Sequence, residues 1–286
     1  MITDTETVRD HYQAGIEDEK KLLAKLNRVV DEMEPPLTAE KFADFDQFHV
    51  GGIAATVELT TRSEITHDMS VLDAGSGLGG PSRFLAETVG CHIAGVDLSP
   101  AYVAVATLLA QRAGLSGKVS YHIGSITELP FKNGEFDVVW SQHVVMNIAD
   151  RARLYRELRR VLKTGGTFAF YDPYEPDNGE TPHYPLPWAE TPATSTLLTK
   201  EATVAALESA GYKVLAFDDV SQMGVDWIAN QQLRLRQPTQ RNVALTIGMV
   251  MGERMREMVT NFGRNLVEGR LRLVMGICRA DPVRST

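Results

Sequence analysis

The residues of this 286-residue chain that could do chemistry crowd into three places. The first is VLDAGSGLGG at residues 71–80, where an acid, Asp73, stands two positions ahead of a bend containing Gly75, Gly77 and Gly79. Glycine tolerates positive φ and exposes its amide with no Cβ in the way, so such a bend lets the main chain approach a nucleotide closely. The spacing Gly75, Gly77, Gly80 also meets the GxGxxG pattern of dinucleotide sites. Asp73 argues against a dinucleotide, because a carboxylate beside the bend repels a pyrophosphate and suits a ligand carrying positive charge. The second place is GVDLSP, whose Asp97 lies 24 residues beyond Asp73 and can accept from both hydroxyls of a ribose. The third, WSQHVVMNI, offers Ser141, Gln142, His143, Met146 and Asn147. His143 titrates near neutrality and is a candidate base, or an orienting group for a substrate hydroxyl or carboxylate; the competing reading is a wall residue that only packs or bonds the ligand.

For these segments to stand side by side they need a common scaffold, and the pattern around them supplies one. From Val71 to Pro173, apolar strand-like runs (VLDAG, CHIAGVDL, KVSYHIG, FDVVWS, TFAFYDP) alternate with helical patterns. Such alternation means parallel strands joined by crossover helices, a doubly wound α/β fold with its site outside the carboxyl ends of the strands. Ser99 caps a helix that Pro100 opens and Gly114 closes, and Asp150 caps another that stops before Gly165 and Gly166. Residues 1–66 read as a helical cap or lid, with apolar Val8, Tyr12, Ile16, Leu22, Leu26 and Val30 at helical spacing up to Pro35 and Pro36. Residues 67–222 read as the nucleotide-binding core, carrying a Pro-rich substrate loop at about 173–198 that offers Tyr174, His183 and Trp188. Residues 223–268 read as a helical insertion with Met249, Met255, Met258 and Phe262 on one apolar face, placed to cover the pocket or form a homodimer contact. Residues 269–286 supply a last strand and tail. The expectation is a seven-stranded, mostly parallel sheet.

Taken together, VLDAGSGLGG, GVDLSP, GSITELPF, FDVVWS and VLKTGGTFAFYD resemble the class I S-adenosylmethionine-dependent methyltransferases over roughly residues 45–220. The resemblance implies that Asp73, Gly75, Gly77 and Gly79 hold the methionine end of the cofactor, that Asp97 holds the ribose, and that the turn at Gly124, Ser125 and Ile126 holds the adenine, with Leu98, Ser141 and Gln142 also at the cofactor. Ser125 departs from the pattern, standing where relatives often carry an acid that accepts from the adenine amine. FDQFHVGGIAAT resembles the matching stretch of sarcosine and dimethylglycine N-methyltransferases, and HYQ around Tyr12 resembles an aromatic lid; both imply that Tyr12, Gln47 and His49 lie near the methionine end. The implied activity is methyl transfer to a small amine or amino-acid-like acceptor at His49, Met146, Tyr174, His183 and Trp188, with His143 catalytic. Oxygen or carbon methylation of a phenol, quinone or terpenoid is the rival, and a cofactor-binding scaffold without turnover is the third reading.

Composition trims the alternatives. A net charge of -8 with scattered Lys and Arg disfavours a nucleic-acid partner. Cys91 and Cys278 lie in apolar runs without metal or redox spacing, so no metal site is expected. The longest apolar stretch, VALTIGMVMG, is about half of what crosses a bilayer, and the polar, acidic N-terminus lacks an export signal, so a cytoplasmic protein acting on a small molecule is expected.

Overall fold

A computed structural model describes residues 4–13, 16, 18–236 and 254–281. Seven strands lie in one sheet: β1 Ser70–Ala74, β2 His92–Asp97, β3 Val119–Ile123, β4 Phe136–Gln142, β5 Leu162–Tyr174, β6 Tyr212–Asp219 and β7 Arg272–Ala280. Their order is β3-β2-β1-β4-β5-β7-β6. Strands β1 to β5 pair in parallel, while β7 runs antiparallel between β5 and β6. This is the expected seven-stranded, mostly parallel architecture. The direction of winding reverses between β1 and β4, which opens a crevice at their carboxyl ends.

Sheet burial follows from strand periodicity. Val71 and Leu72 point to opposite faces, and both are fully buried because helices cover the sheet on each side. One face packs Val71, Trp140, Tyr171 and Met275 against α4 (Gly52–Ser63), α5 (Gly80–Thr88) and residues Phe262 and Leu266. The other packs Leu72, Val139 and Phe168 against Leu154 and Leu158 of α7 (Arg151–Val161). Both expected caps form: Ser99 Oγ accepts from Tyr102 N at 3.3 Å to open α6 (Pro100–Arg112), and Asp150 accepts from Arg153 N at 2.9 Å. The helix that Asp150 opens stops before Gly165 and Gly166, as expected, at Val161. It passes straight into β5 after Val161, so Gly165 and Gly166 fall inside the strand, Gly165 at φ +75°.

Ahead of β1 stand α1 (Asp4–Gln13), α2 (Glu19–Asp31), α3 (Ala39–Asp46) and α4. The single run of helical spacing near the N-terminus is thus two helices, because Asp18 caps the second by accepting from Lys21 N at 3.1 Å. Leu22, Leu26 and Val30 of α2 and Phe42 and Phe45 of α3 close a separate core against Tyr102, Val105 and Leu109 of α6. A buried ion pair pins this cap: Arg83 Nη2 donates to Asp46 Oδ2 at 2.5 Å, both side chains fully buried, and also to Leu78 O at 2.9 Å. Removing one partner of such a pair costs about 3–5 kcal/mol, so the end of α3 is held against the start of α5 and Gln47 to His49 are delivered to the crevice. After β5 come α8 (Lys200–Ser209), α9 (Ser221–Arg236) and α10 (Met255–Val267). Met249 lies outside the described residues. Among them no helix is long and apolar enough to cross a membrane.

Candidate active site

A cavity of about 340 Å3 occupies the crevice, walled by the ends of β1, β2 and β4, the turn after β3, α1 and the loop around Trp188. Its two halves are chemically different.

At the β1–β3 side, Gly75 N and Ser76 N both donate to Val96 O, at 2.8 and 3.0 Å, which folds the bend onto β2. Gly75 sits at φ +83°, and a Cβ there would lie 2.4 Å from a Val144 methyl, so the position admits nothing larger. Gly77, at φ +52°, differs: a Cβ on it would meet no atom within 4 Å, because it faces the cavity. Asp97 Oδ2 accepts from Gly77 N at 2.8 Å and Oδ1 from Ser99 N at 2.9 Å, which orients the carboxylate and leaves lone pairs for a further donor. Asp73 accepts from Ser82 Oγ at 2.5 Å. Burial pushes its carboxyl up to about 7, opposed by the Ser82 hydrogen bond and reinforced by the charge of Asp97. The Ser125 hydroxyl lies 2.8 Å from Thr127 Oγ1 and accepts from Thr127 N at 3.3 Å.

Above the bend, Tyr12 of α1 packs edge-on against Phe48 and Tyr102. Its hydroxyl receives a hydrogen bond from Asn147 Nδ2 at 3.2 Å, and His11 Nε2 lies 2.9 Å from Pro187 O, so α1 bridges the turn after β4 and the loop before Trp188.

At the β4–β5 side stand His49, Gln142, His143, Met146 and Trp188. His143 takes φ +53°, uncommon for a residue with a side chain. Three hydrogen bonds hold it there: His143 N donates to Tyr171 O at 2.7 Å, and Val144 N and Val145 N donate to Asp172 Oδ1 at 2.8 and 3.3 Å. Its ring packs 4.8 Å from Tyr171, 5.9 Å from Phe262 and 6.0 Å from His49. Desolvation drives both imidazoles down, His49 to about 4 and His143 well below its ordinary value, so both are neutral at physiological pH. Behind them, Gln47 Oε1 accepts from Thr56 Oγ1 at 2.7 Å and lies 3.1 Å from His49 Nε2, while Gln142 Oε1 accepts from Trp140 Nε1 at 3.0 Å.

Of the residues singled out in the sequence, Tyr12, His49, Asp73, Gly75, Gly77, Asp97, Leu98, Ser125, Ile126, Gln142, His143, Met146 and Trp188 share this cavity. Five stand elsewhere, Gln47 among them, buried behind His49. Gly79 is kept side-chain-free by packing, since a Cβ on it would lie 2.2 Å from the Tyr121 hydroxyl. Ser141 is fully buried behind the wall, on the strand face opposite to its neighbours. Tyr174 donates to Asp219 at 3.1 Å and His183 pairs with Glu268 at 2.8 Å, so both anchor the loop instead of facing the cavity. Sequence reasoning missed the Arg83–Asp46 pair, the Thr56–Gln47 support under His49 and the role of Asp172. An arginine within the apolar helix PSRFLAET was the one available signal for the first. Among the described residues no cluster of His, Cys, Asp or Glu could hold a metal ion, and Cys91 and Cys278 are buried free thiols.

The geometry agrees with comparisons to known proteins. Residues 72–170, from β1 through β5, match the family model described as a methyltransferase domain. The chain is 32% identical over 168 residues to a sterol 24-C-methyltransferase of Neurospora crassa, an alignment covering 57% of this chain and 44% of the relative. It is 38% identical over 108 residues to the sarcosine/dimethylglycine N-methyltransferase of Aphanothece halophytica, covering 38% of this chain and 39% of the relative. The chain therefore spans less than half the length of the curated relatives it matches. In fold it is similar to geranyl diphosphate C-methyltransferase from Streptomyces coelicolor A3(2), solved with Mg2+, geranyl diphosphate and S-adenosyl-L-homocysteine, with a TM-score of 0.66, 15% identity and 97% of each chain covered.

Proposed function

We propose that the protein transfers a methyl group from S-adenosylmethionine to a small-molecule acceptor. The observation that carries this is the placement of Asp73, the open face of Gly77 and the oriented carboxylate of Asp97 on one wall of a cavity that continues to His143. An acid suits the ammonium of the cofactor's methionine end, Asp97 suits its ribose, and the apolar Leu98 and Ile126 suit its adenine. Bound there, the cofactor supplies a methyl on a positively charged sulfur, open to in-line attack. The protein's share is alignment and exclusion of water: α1 covers the bend through Tyr12, and the loop at Trp188 closes the far side. His143, neutral because burial disfavours its charged form and fixed by the hydrogen bonds of its backbone, is read as accepting a hydrogen bond from the acceptor and orienting it.

Two acceptor classes have support. The stretch around His49 and the relatives named for sarcosine and dimethylglycine favour an amine; the relatives named for sterol and geranyl diphosphate favour an apolar carbon skeleton. The proposal is tested by titrating the protein calorimetrically with S-adenosylmethionine, S-adenosylhomocysteine and NAD, then following labelled methyl into a panel of glycine derivatives, phenols and quinols. Binding of the first two with label transfer to one class is expected. Binding of NAD alone would overturn the reading, and nucleotide binding with no transfer would leave a scaffold in its place.

A further inference from the structure

We infer that the acceptor is an uncharged molecule with a hydroxyl, held at that oxygen by Gln142 and His143 and elsewhere by apolar surface. The inference rests on the reading that S-adenosylmethionine fills the β1–β3 side. The first observation is the orientation of Gln142. Its Oε1 faces the indole N–H of Trp140 at 3.0 Å, and because an indole nitrogen can only donate, the amide cannot be turned the other way. Its Nε2 therefore presents two N–H donors, and among the described residues it has no partner although Gln142 is only 7% exposed and lines the cavity. A buried amide donor left unbonded costs about 1–3 kcal/mol, which a ligand oxygen would recover.

The second observation is His143 Nε2, also buried, unpartnered and on the same wall. With its proton on Nδ1, the neutral imidazole accepts one hydrogen bond at Nε2. In that tautomer a donor and an acceptor on one wall fit a hydroxyl, which accepts from Gln142 and donates to His143. An ether or a carbonyl satisfies only the first.

The third observation concerns charge. Among the described residues, the charged ones lining the cavity are Asp46, Asp73, Asp97, Asp150 and Arg153. Asp46 is consumed by Arg83, Asp73 and Asp97 end β1 and β2, and Arg153 is bound to Thr127 O and Glu128 beside the turn after β3. Arg153, the one cation among these described residues, is thus already engaged. A zwitterionic amino acid would have to leave its carboxylate desolvated here with no free cation beside it among the described residues, whereas the indole of Trp188 and the thioether of Met146 suit an apolar body. Gln142, expected from the sequence at the cofactor, is thereby assigned to the acceptor.

The test is calorimetric binding to the protein saturated with S-adenosylhomocysteine, with 2-naphthol, 2-methoxynaphthalene, sarcosine and dimethylglycine as probes. 2-Naphthol is expected to bind, its methyl ether at least about tenfold more weakly, and the two glycine derivatives not at all. Gln142→Met should remove most of the difference between naphthol and its ether while leaving S-adenosylhomocysteine affinity within about twofold. Binding of the glycine derivatives, equal binding of naphthol and its ether, binding of none of the four, or a parallel loss of S-adenosylhomocysteine affinity in Gln142→Met would each overturn the inference. A failure of S-adenosylhomocysteine to bind the unmodified protein would instead remove the functional proposal beneath it.

Discussion

The β1–β3 side and the β4–β5 side of the cavity are built from different materials. On the first, recognition belongs to the backbone and to carboxylates already oriented by it: two amides of the bend fold onto Val96 O, and each oxygen of Asp97 accepts from a main-chain N–H. On the second it belongs to neutral side chains, and several of their polar atoms, Gln142 Nε2 and His143 Nε2 among them, have no partner among the described residues. The contrast teaches a division of labour. A wall of backbone geometry serves one ligand shape and changes little when side chains change, whereas a wall of unpaired side chains takes its selectivity from whichever residues project. The matched region of the family, residues 72–170, contains the whole first wall but only part of the second, since His49 and Trp188 fall outside it.

The sharpest way to break this comparison is to fill the first wall. Gly77→Arg puts a long side chain into the space that Gly77 leaves open and strains a residue at φ +52°. Affinity for S-adenosylmethionine should fall by about 100-fold or more, with the fold intact by circular dichroism; unchanged affinity by calorimetry would mean that the cofactor does not touch the bend. Asp97→Ala should cost about 2–4 kcal/mol of cofactor binding, the value of one or two charge-assisted hydrogen bonds to the ribose. A loss near zero would move the ribose elsewhere.

How much of each wall was legible in the sequence follows from the same contrast. The first wall depends on residue types that carry their geometry with them: glycines that reach positive φ, an acid at a strand end, a Ser-Pro helix start. Alternating strands and helices placed those residues at one crevice, and Asp73, Gly75, Gly77 and Asp97 meet there. The second wall depends on contacts between distant parts of the chain. Asp46 meets Arg83 37 residues away, and Thr56 reaches Gln142 86 residues away; no local pattern announces either. The Pro-rich loop was recognisable as a loop, but composition does not tell which of its side chains turn inward. Trp188 does so, while Tyr174 and His183 find partners in Asp219 and Glu268. Ser141 shows the limit of reading a strand terminus: between Trp140 and Gln142 the side chains alternate, and Ser141 lies on the covered face.

Asp172 offers the next-largest perturbation and confines it to the second wall. Its Oδ1 holds the amides of Val144 and Val145, and so the unusual backbone of His143, which makes it a positioning residue and not a catalytic one. Asp172→Leu should leave two amide donors without their acceptor, lowering stability to urea by about 1–3 kcal/mol. It should reduce kcat while cofactor affinity stays near that of the parent protein. Asp172→Asn keeps an oxygen at the same place and should restore most of both. Equal impairment in Asp172→Asn and Asp172→Leu would show that the negative charge matters and not the hydrogen bonds.

The smallest effect expected is a dependence on pH that separates the walls by their acids. Asp73 titrates near 7 because burial penalises its charge. A carboxyl whose folded-state value is raised adds stability that is fully present below its unfolded value, near 4, and is lost as pH rises through about 7. Asp172, also raised to about 7 by burial, contributes with the same sign, while the buried His49 and His143, whose values are lowered, contribute with the opposite sign, so Asp73→Asn and Asp172→Asn should each lose less stability than the parent protein between pH 5 and pH 8. Cofactor binding should run the other way. An ammonium group binds the ionised carboxylate, so Asp73 must lose its proton, and affinity should rise by about tenfold between pH 6 and pH 8 as the ionised fraction grows from roughly a tenth to roughly nine-tenths. Asp73→Asn should bind more weakly at pH 8 and show little of that rise, whereas Asp172→Asn should keep it. If the slope instead survives in Asp73→Asn and vanishes in Asp172→Asn, the titrating partner of the cofactor lies on the second wall, and the division between the two sides fails.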